Sequence, residues 1–209
     1  DSAQLASAFS DEALCQELGY DTTTIGCMFI PNTYEVFWNI SAKDLMARLH
    51  KESNAFWTLK RKAEAKAAGL TPNEVIIMAS IVDQETANSE EKPMVAGMYL
   101  NRLHQGMKLQ ADPTVKFALK QFALKRILHE HLSVDSPYNT YRHEGLPPGP
   151  IAIPALSSIE AVLHFAHHDY IYMCAKEDFS GTHNFAKTYE EHLANARKYA
   201  EALNERGIK

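Results

Sequence analysis

One carboxylate, Glu85, follows an apolar stretch of sequence, where a charged side chain is unusual. Met78, Ile81 and Glu85 recur at spacings of three and four residues, so on a helix they share one face, whereas Asp83 points elsewhere. A carboxyl group removed from water holds its proton more tightly, with pKa shifts of up to about 3–5 units on complete burial. Glu85 is therefore predicted to be a general acid near neutral pH. The spacing alone also allows a solvated glutamate, or one paired with a lysine.

The predicted general acid lies on a helix whose start is well marked. Thr71 suits the N-cap position, Pro72 suits the first turn, and Glu74 completes a capping box. These residues predict a helix over residues 72–87, and a second apolar pattern predicts another helix over residues 90–105. The general acid would then lie near the C-terminal end of the first helix.

Two loops are unusual, residues 109–115 and residues 136–141 continuing through 145–151, because they are rich in proline and display tyrosine, asparagine and threonine. Long, rigid loops in compact domains are often functional. Aromatic rings with amide and hydroxyl groups suit a sugar-binding cleft, because rings stack on C–H faces and fixed polar groups bind sugar hydroxyls. A structural wrap whose tyrosines belong to the core is an equally good explanation of these residue types.

Other catalytic chemistries have little support. The pairs His129/His131 and His167/His168 do not match the HExxH motif, and no Asp, Glu or Cys lies at a recognised ligand spacing, so these histidines are predicted to lie on the surface without a metal. No nucleophile elbow and no glycine-rich phosphate loop occurs. His183 is of more interest because it begins a predicted strand directly after a turn, although it could equally be structural.

Composition excludes several classes of protein. The chain has 209 residues, of which 45% are hydrophobic, and a formal net charge of −5. Such a chain is globular, and its acidic balance argues against a general nucleic-acid binder. No run of 18 apolar residues occurs, so no membrane span is predicted. Cys15, Cys27 and Cys174 form no CxxC pair, and either one disulfide or three free thiols would be compatible with them.

The order of elements predicts an α+β fold, in which a helix-rich catalytic domain with short antiparallel strands is joined to a small N-terminal lobe. The lobe covers residues 1–70 and the catalytic domain residues 71–209, with the boundary at residues 69–71. Besides the two helices already described, the predicted elements are a helix over 10–18 with Ser10 as its N-cap, a strand or extended chain over 26–38 interrupted at Pro31, a helix over 41–68, a helical segment over 114–132, a helix over 157–164, strands over 170–175 and 182–186, and a helix over 188–207 that begins with a capping box between Thr188 and Glu191.

Six ordered motifs carry a resemblance to a known family. They are residues 79–86 (Ala-Ser-Ile-Val-Asp-Gln-Glu-Thr), 101–103 (Asn-Arg-Leu), 106–115 (Gly-Met-Lys-Leu-Gln-Ala-Asp-Pro-Thr-Val), 136–141 (Ser-Pro-Tyr-Asn-Thr-Tyr), 145–151 (Gly-Leu-Pro-Pro-Gly-Pro-Ile) and 181–185 (Gly-Thr-His-Asn-Phe). In this combination the chain resembles the endolytic murein transglycosylases, the YceG-like family. The resemblance runs from about residue 26 to residue 200.

The resemblance implies an activity and a setting. It places the catalytic glutamate of the family on Glu85, and it implies cleavage between N-acetylmuramic acid and N-acetylglucosamine with a 1,6-anhydro-muramyl product and no cofactor. It also implies peptidoglycan glycan strands as substrate, penicillin-binding synthases as partners, and an extracytoplasmic parent protein anchored by one membrane helix. Asp83 and Gln84 stand where many relatives have Glu and Lys.

The resemblance also suggests which side chains hold the glycan. The candidates lie on the motif loops and at the strand start: Gln110, Asp112, Thr114, Tyr138, Asn139, Thr140, Tyr141 and His183. Asp112 precedes a proline, so a structural role is favoured for its carboxylate, and Arg102 is predicted to pair with it. Two alternatives stay open: a non-catalytic peptidoglycan-binding scaffold for cell-wall synthases, and a muramidase in which water attacks opposite a second carboxylate.

Overall fold

A computed structural model describes residues 2–124 and 126–207. Its helices are α1 (Ser2–Phe9), α2 (Glu12–Glu17), α3 (Ala42–Phe56), α4 (Leu59–Ala67), α5 (Pro72–Glu85), α6 (Lys92–His104), α7 (Asp112–Leu119), α8 (Leu156–Leu163) and α9 (Tyr189–Glu205), its strands are β1 (Tyr172–Ala175) and β2 (His183–Ala186), and 3₁₀ turns cover Ile25–Met28 and His131–Ser133. Both predicted domains and the predicted segment 114–132 extend onto residues 1, 125, 208 and 209, which lie outside the described residues.

Helix α5 is the centre of the main hydrophobic core. The predicted capping box is present, because the Thr71 hydroxyl accepts from the Glu74 N–H and the Glu74 carboxylate accepts from the Thr71 N–H. Every residue from 75 to 82 is buried, and α6, α7 and α8 pack around the helix. The expectation that one face of α5 is apolar and buried is therefore wrong, since residues 75–82 are enclosed on every side.

The strands form an antiparallel hairpin that closes one side of the site. Tyr172 pairs with Ala186 and Ala175 pairs with His183. Helix α9 packs against both strands, and its own predicted capping box, between Thr188 and Glu191, is present. Helices predominate and the short strands are antiparallel, so the α+β prediction is confirmed.

The N-terminal residues contribute to two hydrophobic clusters. One cluster lies wholly within residues 8–49 and surrounds Met28 and Met46. Trp57 and Ala65 belong instead to the main core beneath α5. The division into residues 1–70 and 71–209 stays a prediction. All three cysteines are free thiols.

The segment 26–38, predicted as a strand or an extended chain, forms no strand. A 3₁₀ turn occupies Ile25–Met28, and the chain then runs without regular structure to Ser41. The reason is tertiary: among the described residues, the two hairpin strands pair only with each other, so this segment has no partner strand. Gly26 packs directly on Pro150, where a Cβ would lie 2.9 Å from the proline ring.

The single long helix predicted over residues 41–68 is divided in two. Helix α3 ends at Phe56, and the side chain of the next residue, Trp57, is buried in the core. The Thr58 hydroxyl then caps α4 by accepting from the Arg61 N–H. A threonine that satisfies a free N–H group favours a new helix start over continuation. The break was not predicted, because charged residues continue the helical pattern on both sides of it.

Two further helix boundaries differ from the predictions. The segment predicted as a helix over residues 10–18 is α2, which Asp11 rather than Ser10 caps; Ser10 instead donates to a carbonyl of α1. Of the segment predicted over 114–132, the described residues form an α-helix only in α7, which stops at Lys120 in a left-handed conformation. Residues 121–124 and 126–130 have no regular structure before the 3₁₀ turn.

Candidate active site

The C-terminal end of α5 opens onto a cavity of about 330 Å³, which Glu85 lines. Glu85 is partly exposed as a residue, but protein encloses its carboxyl group. Tyr99 lies on α6 and is only 2% exposed. Its hydroxyl group donates a hydrogen bond to Glu85 Oε1 at 2.5 Å. This hydrogen bond fixes the carboxyl group and leaves its second oxygen to the cavity.

The environment of Glu85 favours the protonated acid. Burial raises the pKa of Glu85 to about 7, and it outweighs the hydrogen bond from Tyr99, which lowers this pKa. The negative charge of Asp112 raises the pKa further, whereas His183 and Lys116 lower it. A carboxyl group with this pKa holds its proton in part of the population at neutral pH and can also accept one.

Asp112 lies in the same cavity but is engaged by a tyrosine. The Tyr141 hydroxyl donates to Asp112 Oδ1 at 2.6 Å. Asp112 is the first residue of α7, so its negative charge lies at the positive end of that helix. The carboxylate thus has the structural partners expected of a residue before proline, while it still faces the space in front of Glu85.

The predicted Arg102–Asp112 pair is wrong. Arg102 is buried and donates to the carbonyl oxygens of Lys108 and Ile171 and, at 2.6 Å, to Gln110 Oε1. The guanidinium therefore ties α6 to the loop before α7 and to the chain entering β1. Gln110, held in a left-handed conformation, is positioned by this arginine at the edge of the cavity.

His183, the first residue of β2, also lines the cavity. Its backbone N–H donates to Glu91 Oε1 at 2.6 Å, and its ring Nδ1 lies 3.0 Å from Glu91 Oε2. Glu91, directly before α6, is only 8% exposed. Sequence reasoning missed Glu91, because it resembles the neighbouring surface glutamate Glu90.

An aromatic wall at the hairpin and α9 was also missed. Tyr172 stacks on His192 with ring centroids 5.3 Å apart, and Tyr189 lies beside both rings with 60% of its surface exposed. All three rings line the cavity. The alternation of Tyr170 and Tyr172 in the strand predicted over 170–175 was the available signal for Tyr172.

Three predicted glycan-binding residues lie beneath the cavity rather than in its lining. Thr114, Asn139 and Thr140 are at most 2% exposed. The two threonine hydroxyls share a hydrogen bond of 2.9 Å, and Thr140 accepts from the N–H of Ala111. The Asn139 amide donates to two carbonyls of its own loop and accepts from the N–H of Tyr141. These side chains support Asp112 and Tyr141 from below.

Tyr138 and the proline-rich segment 145–151 lie away from Glu85. Tyr138 packs on Phe117, with ring centroids 4.6 Å apart, and is not part of the cavity lining. A Cβ at Gly149 would lie 2.2 Å from the carbonyl oxygen of Thr23, so only glycine allows this close approach. For residues 145–151, the structural-wrap interpretation is therefore the better one.

No group of three or more His, Cys, Asp or Glu side chains that could hold a metal ion occurs within residues 2–124 and 126–207. Across those same ranges, none of the helices has the length and apolar character that crossing a membrane requires. The cavity is lined by carboxyl, amide, guanidinium, imidazole and aromatic side chains.

Comparison with known proteins agrees with the motifs. The chain is 37% identical over 166 residues to the endolytic murein transglycosylase of Bacillus subtilis (strain 168), which covers 79% of this chain and 45% of that protein. It is 29% identical over 177 residues to the endolytic murein transglycosylase of Streptococcus pneumoniae (strain R6), or 81% of this chain and 31% of that protein. The chain thus spans less than half the length of these curated relatives.

A solved structure shows the same fold. The crystal structure of a yceG-like protein from Listeria monocytogenes superimposes with a TM-score of 0.78 at 30% sequence identity, and the match covers 93% of this chain and 67% of that one. The family model described as YceG-like matches residues 1–198. The resemblance predicted from the motifs is confirmed, and the chain belongs to the YceG-like family.

Proposed function

We propose that the chain is the catalytic part of an endolytic lytic transglycosylase that cleaves peptidoglycan glycan strands. The observation that carries the proposal is the enclosed Glu85 carboxyl group, whose pKa is raised to about 7 in a cavity lined by polar and aromatic side chains. A carboxyl group kept from water is costly to a protein that only binds glycan, and it is useful to one that must donate a proton. The similarity to the endolytic murein transglycosylases of Bacillus subtilis and Streptococcus pneumoniae supports the same activity.

In the first step, Glu85 acts as the general acid. The protonated carboxyl group donates its proton to the oxygen that joins muramyl C1 to the next N-acetylglucosamine. The C1–O bond breaks, its electron pair stays with the departing oxygen, and positive charge develops at C1. Acid assistance of this kind contributes about 10²–10⁴-fold. Tyr99 holds Oε1 throughout, so Oε2 is the oxygen that we assign to proton transfer.

In the second step, the Glu85 carboxylate acts as a base. It accepts the proton of the C6 hydroxyl of the same muramyl residue, and O6 forms a bond to C1, which yields the 1,6-anhydro end. Because the nucleophile belongs to the substrate, it has a high effective concentration and no water is consumed. Each cycle returns Glu85 to its protonated state, so one carboxyl group is sufficient.

The rest of the cavity would bind the amino sugars. We assign Gln110, Tyr141 and His183 to polar contacts, because each lines the cavity and is held by a partner. The exposed ring of Tyr189 beside Tyr172 would stack on a sugar face. The buried residues beneath the cavity, which include Thr114, Asn139 and Thr140, would position these groups without contacting the glycan.

A muramidase is the second candidate, and the position of Asp112 favours it. Asp112 faces the same cavity as Glu85, as an enzyme that activates water with a second carboxylate requires. Its hydrogen bond from Tyr141 and its place at the start of α7 support the structural role instead. The two reactions differ in product, because water attack leaves a reducing end and O6 attack leaves an anhydro end.

Mass spectrometry of digested sacculi tests the proposal. The protein should release fragments with anhydro ends, and Glu85→Gln should abolish cleavage while the circular dichroism spectrum stays unchanged, since glutamine still accepts the Tyr99 hydrogen bond. Glu90→Gln, a neighbouring and exposed carboxylate, is the matched control and should cleave normally. Cleavage that persists in Glu85→Gln would refute the role of Glu85, and reducing ends that disappear in Asp112→Asn would establish the muramidase.

The setting of the parent protein is also a proposal. Murein lies outside the cytoplasmic membrane, so we place this domain on the extracytoplasmic side, where glycan strands are its substrate. Anchoring of the parent protein by one membrane helix, and contact with penicillin-binding synthases, stay predictions of the resemblance.

A further inference from the structure

Glu91 and His183 form a two-point contact, called the clamp below, that takes no part in the proton transfers of the proposed reaction. Glu91 is 8% exposed and stands directly before α6, while His183 begins β2. One carboxylate binds the backbone N–H and the ring nitrogen of the same residue, at 2.6 and 3.0 Å. Such a two-point contact fixes both the position and the rotation of an imidazole that lines the cavity.

The clamp also determines which ring nitrogen the cavity meets. Nδ1 faces Glu91, which lies outside the cavity lining, so the opposite edge of the ring, which carries Nε2, faces the cavity. An ionised carboxylate only accepts hydrogen bonds, so the proton of a neutral His183 lies on Nδ1, and Nε2 is an acceptor. Nε2 has no hydrogen-bond partner within the described residues.

We propose that Glu91 is a positioning residue that holds His183 as the Nδ1–H tautomer, so that Nε2 accepts a hydrogen bond from a hydroxyl or amide N–H of the bound amino sugar. For the identity of the ligand, this inference rests on the proposed function. A fixed acceptor in an enclosed site selects ligands that carry a donor at that point, because otherwise the acceptor loses water without a replacement.

The variant Glu91→Gln should change the tautomer of His183 while it keeps the size and shape of the side chain at position 91. The backbone N–H of His183 can only donate, so it will take the amide oxygen of the glutamine. The amide NH₂ group then faces Nδ1, which must accept, and the proton moves to Nε2. The cavity would thereby present a donor in place of an acceptor, with almost no change in side-chain volume.

Nitrogen-15 NMR of the histidine rings reads the tautomer directly. Spectra are recorded at increasing pH until the ring shifts of His183 stop changing, and its two ring nitrogens are then assigned through bonds to their own backbone. We expect Nδ1–H in the wild-type protein and Nε2–H in Glu91→Gln, with no change in Glu90→Gln. A proton on Nε2 in the wild-type protein would overturn the proposal, whether or not any variant folds.

Isothermal titration calorimetry with purified, uncrosslinked glycan strands tests whether the His183 tautomer affects binding. The titrations are made in the Glu85→Gln variant, which should not cleave the strands. Adding Glu91→Gln should weaken binding by about 10–100-fold, whereas adding Glu90→Gln should not. An unchanged affinity together with a switched tautomer would refute the acceptor role of Nε2. If the wild-type protein shows Nδ1–H but releases no anhydro ends, the proposed function fails while the clamp stands.

Discussion

The hydrogen bond from Tyr99 to Glu85 predicts a shift of the pH profile in Tyr99→Phe. The substitution removes a hydroxyl that stabilises the ionised carboxylate at 2.5 Å and leaves the buried ring in place. A hydrogen bond to a charged group is worth about 1.5–3 kcal/mol, and about 1.4 kcal/mol corresponds to one pKa unit. The pKa of Glu85, raised by burial to about 7 in the native protein, should therefore rise further; we expect about 8–9 in the variant.

The direction of the shift follows from which form is active. Proton donation requires the acid form, so kcat/KM falls as the pH rises through the pKa of Glu85 in the free enzyme. Because Tyr99→Phe raises that pKa, the decline should begin at higher pH, with its midpoint moved from about 7 to about 8–9. The position of the midpoint is the readout, since the absolute rate also reflects how well the carboxyl group is oriented.

The assay is the release of anhydro-ended fragments, measured by mass spectrometry from pH 5 to pH 10, with circular dichroism at each pH to verify folding. Tyr199→Phe is the matched control, because Tyr199 lies on α9 outside the cavity lining, and its profile should equal that of the native protein. A midpoint that stays in place, or moves to lower pH, would show that Tyr99 does not stabilise the carboxylate.

Two further predictions concern binding and stability. Tyr189→Ala should raise KM for glycan strands about 2–10-fold with little change in kcat, because it removes a stacking surface; Leu59→Ala, also exposed but remote from the cavity, should not. Lys92→Met should lower the free energy of unfolding in urea by about 3 kcal/mol, because it removes the buried ammonium group that pairs with the half-buried Asp83. Lys60→Met should cost under about 0.5 kcal/mol, since the ammonium group of its ion pair is 85% exposed. A KM equal to that of the native protein, or equal stability of the two lysine variants, would contradict these assignments.

Local signals in the sequence were sufficient for several elements. The capping boxes at Thr71 and Thr188 and the antiparallel hairpin were predictable because they depend on residues close together in the chain. The break before Thr58 was less apparent, since a threonine N-cap within a charged helical pattern is a weak signal. The segment 26–38 has strand-like residue types, but a strand also needs a partner, and partners are assigned by tertiary packing.

Glu85 itself could be selected from the sequence, because its spacing from the apolar residues of α5 and the family motif both point to it. Its partners could not, since Tyr99 is 14 residues away and the two members of the Glu91–His183 clamp are 92 residues apart. Hydrophobic periodicity determines which face of an element is buried, whereas the contacts between elements depend on how they pack. The sequence by itself determined that a carboxyl group follows the apolar residues of α5 and which helix carries it; only the tertiary structure decided what surrounds the carboxyl group, and those surroundings set its pKa.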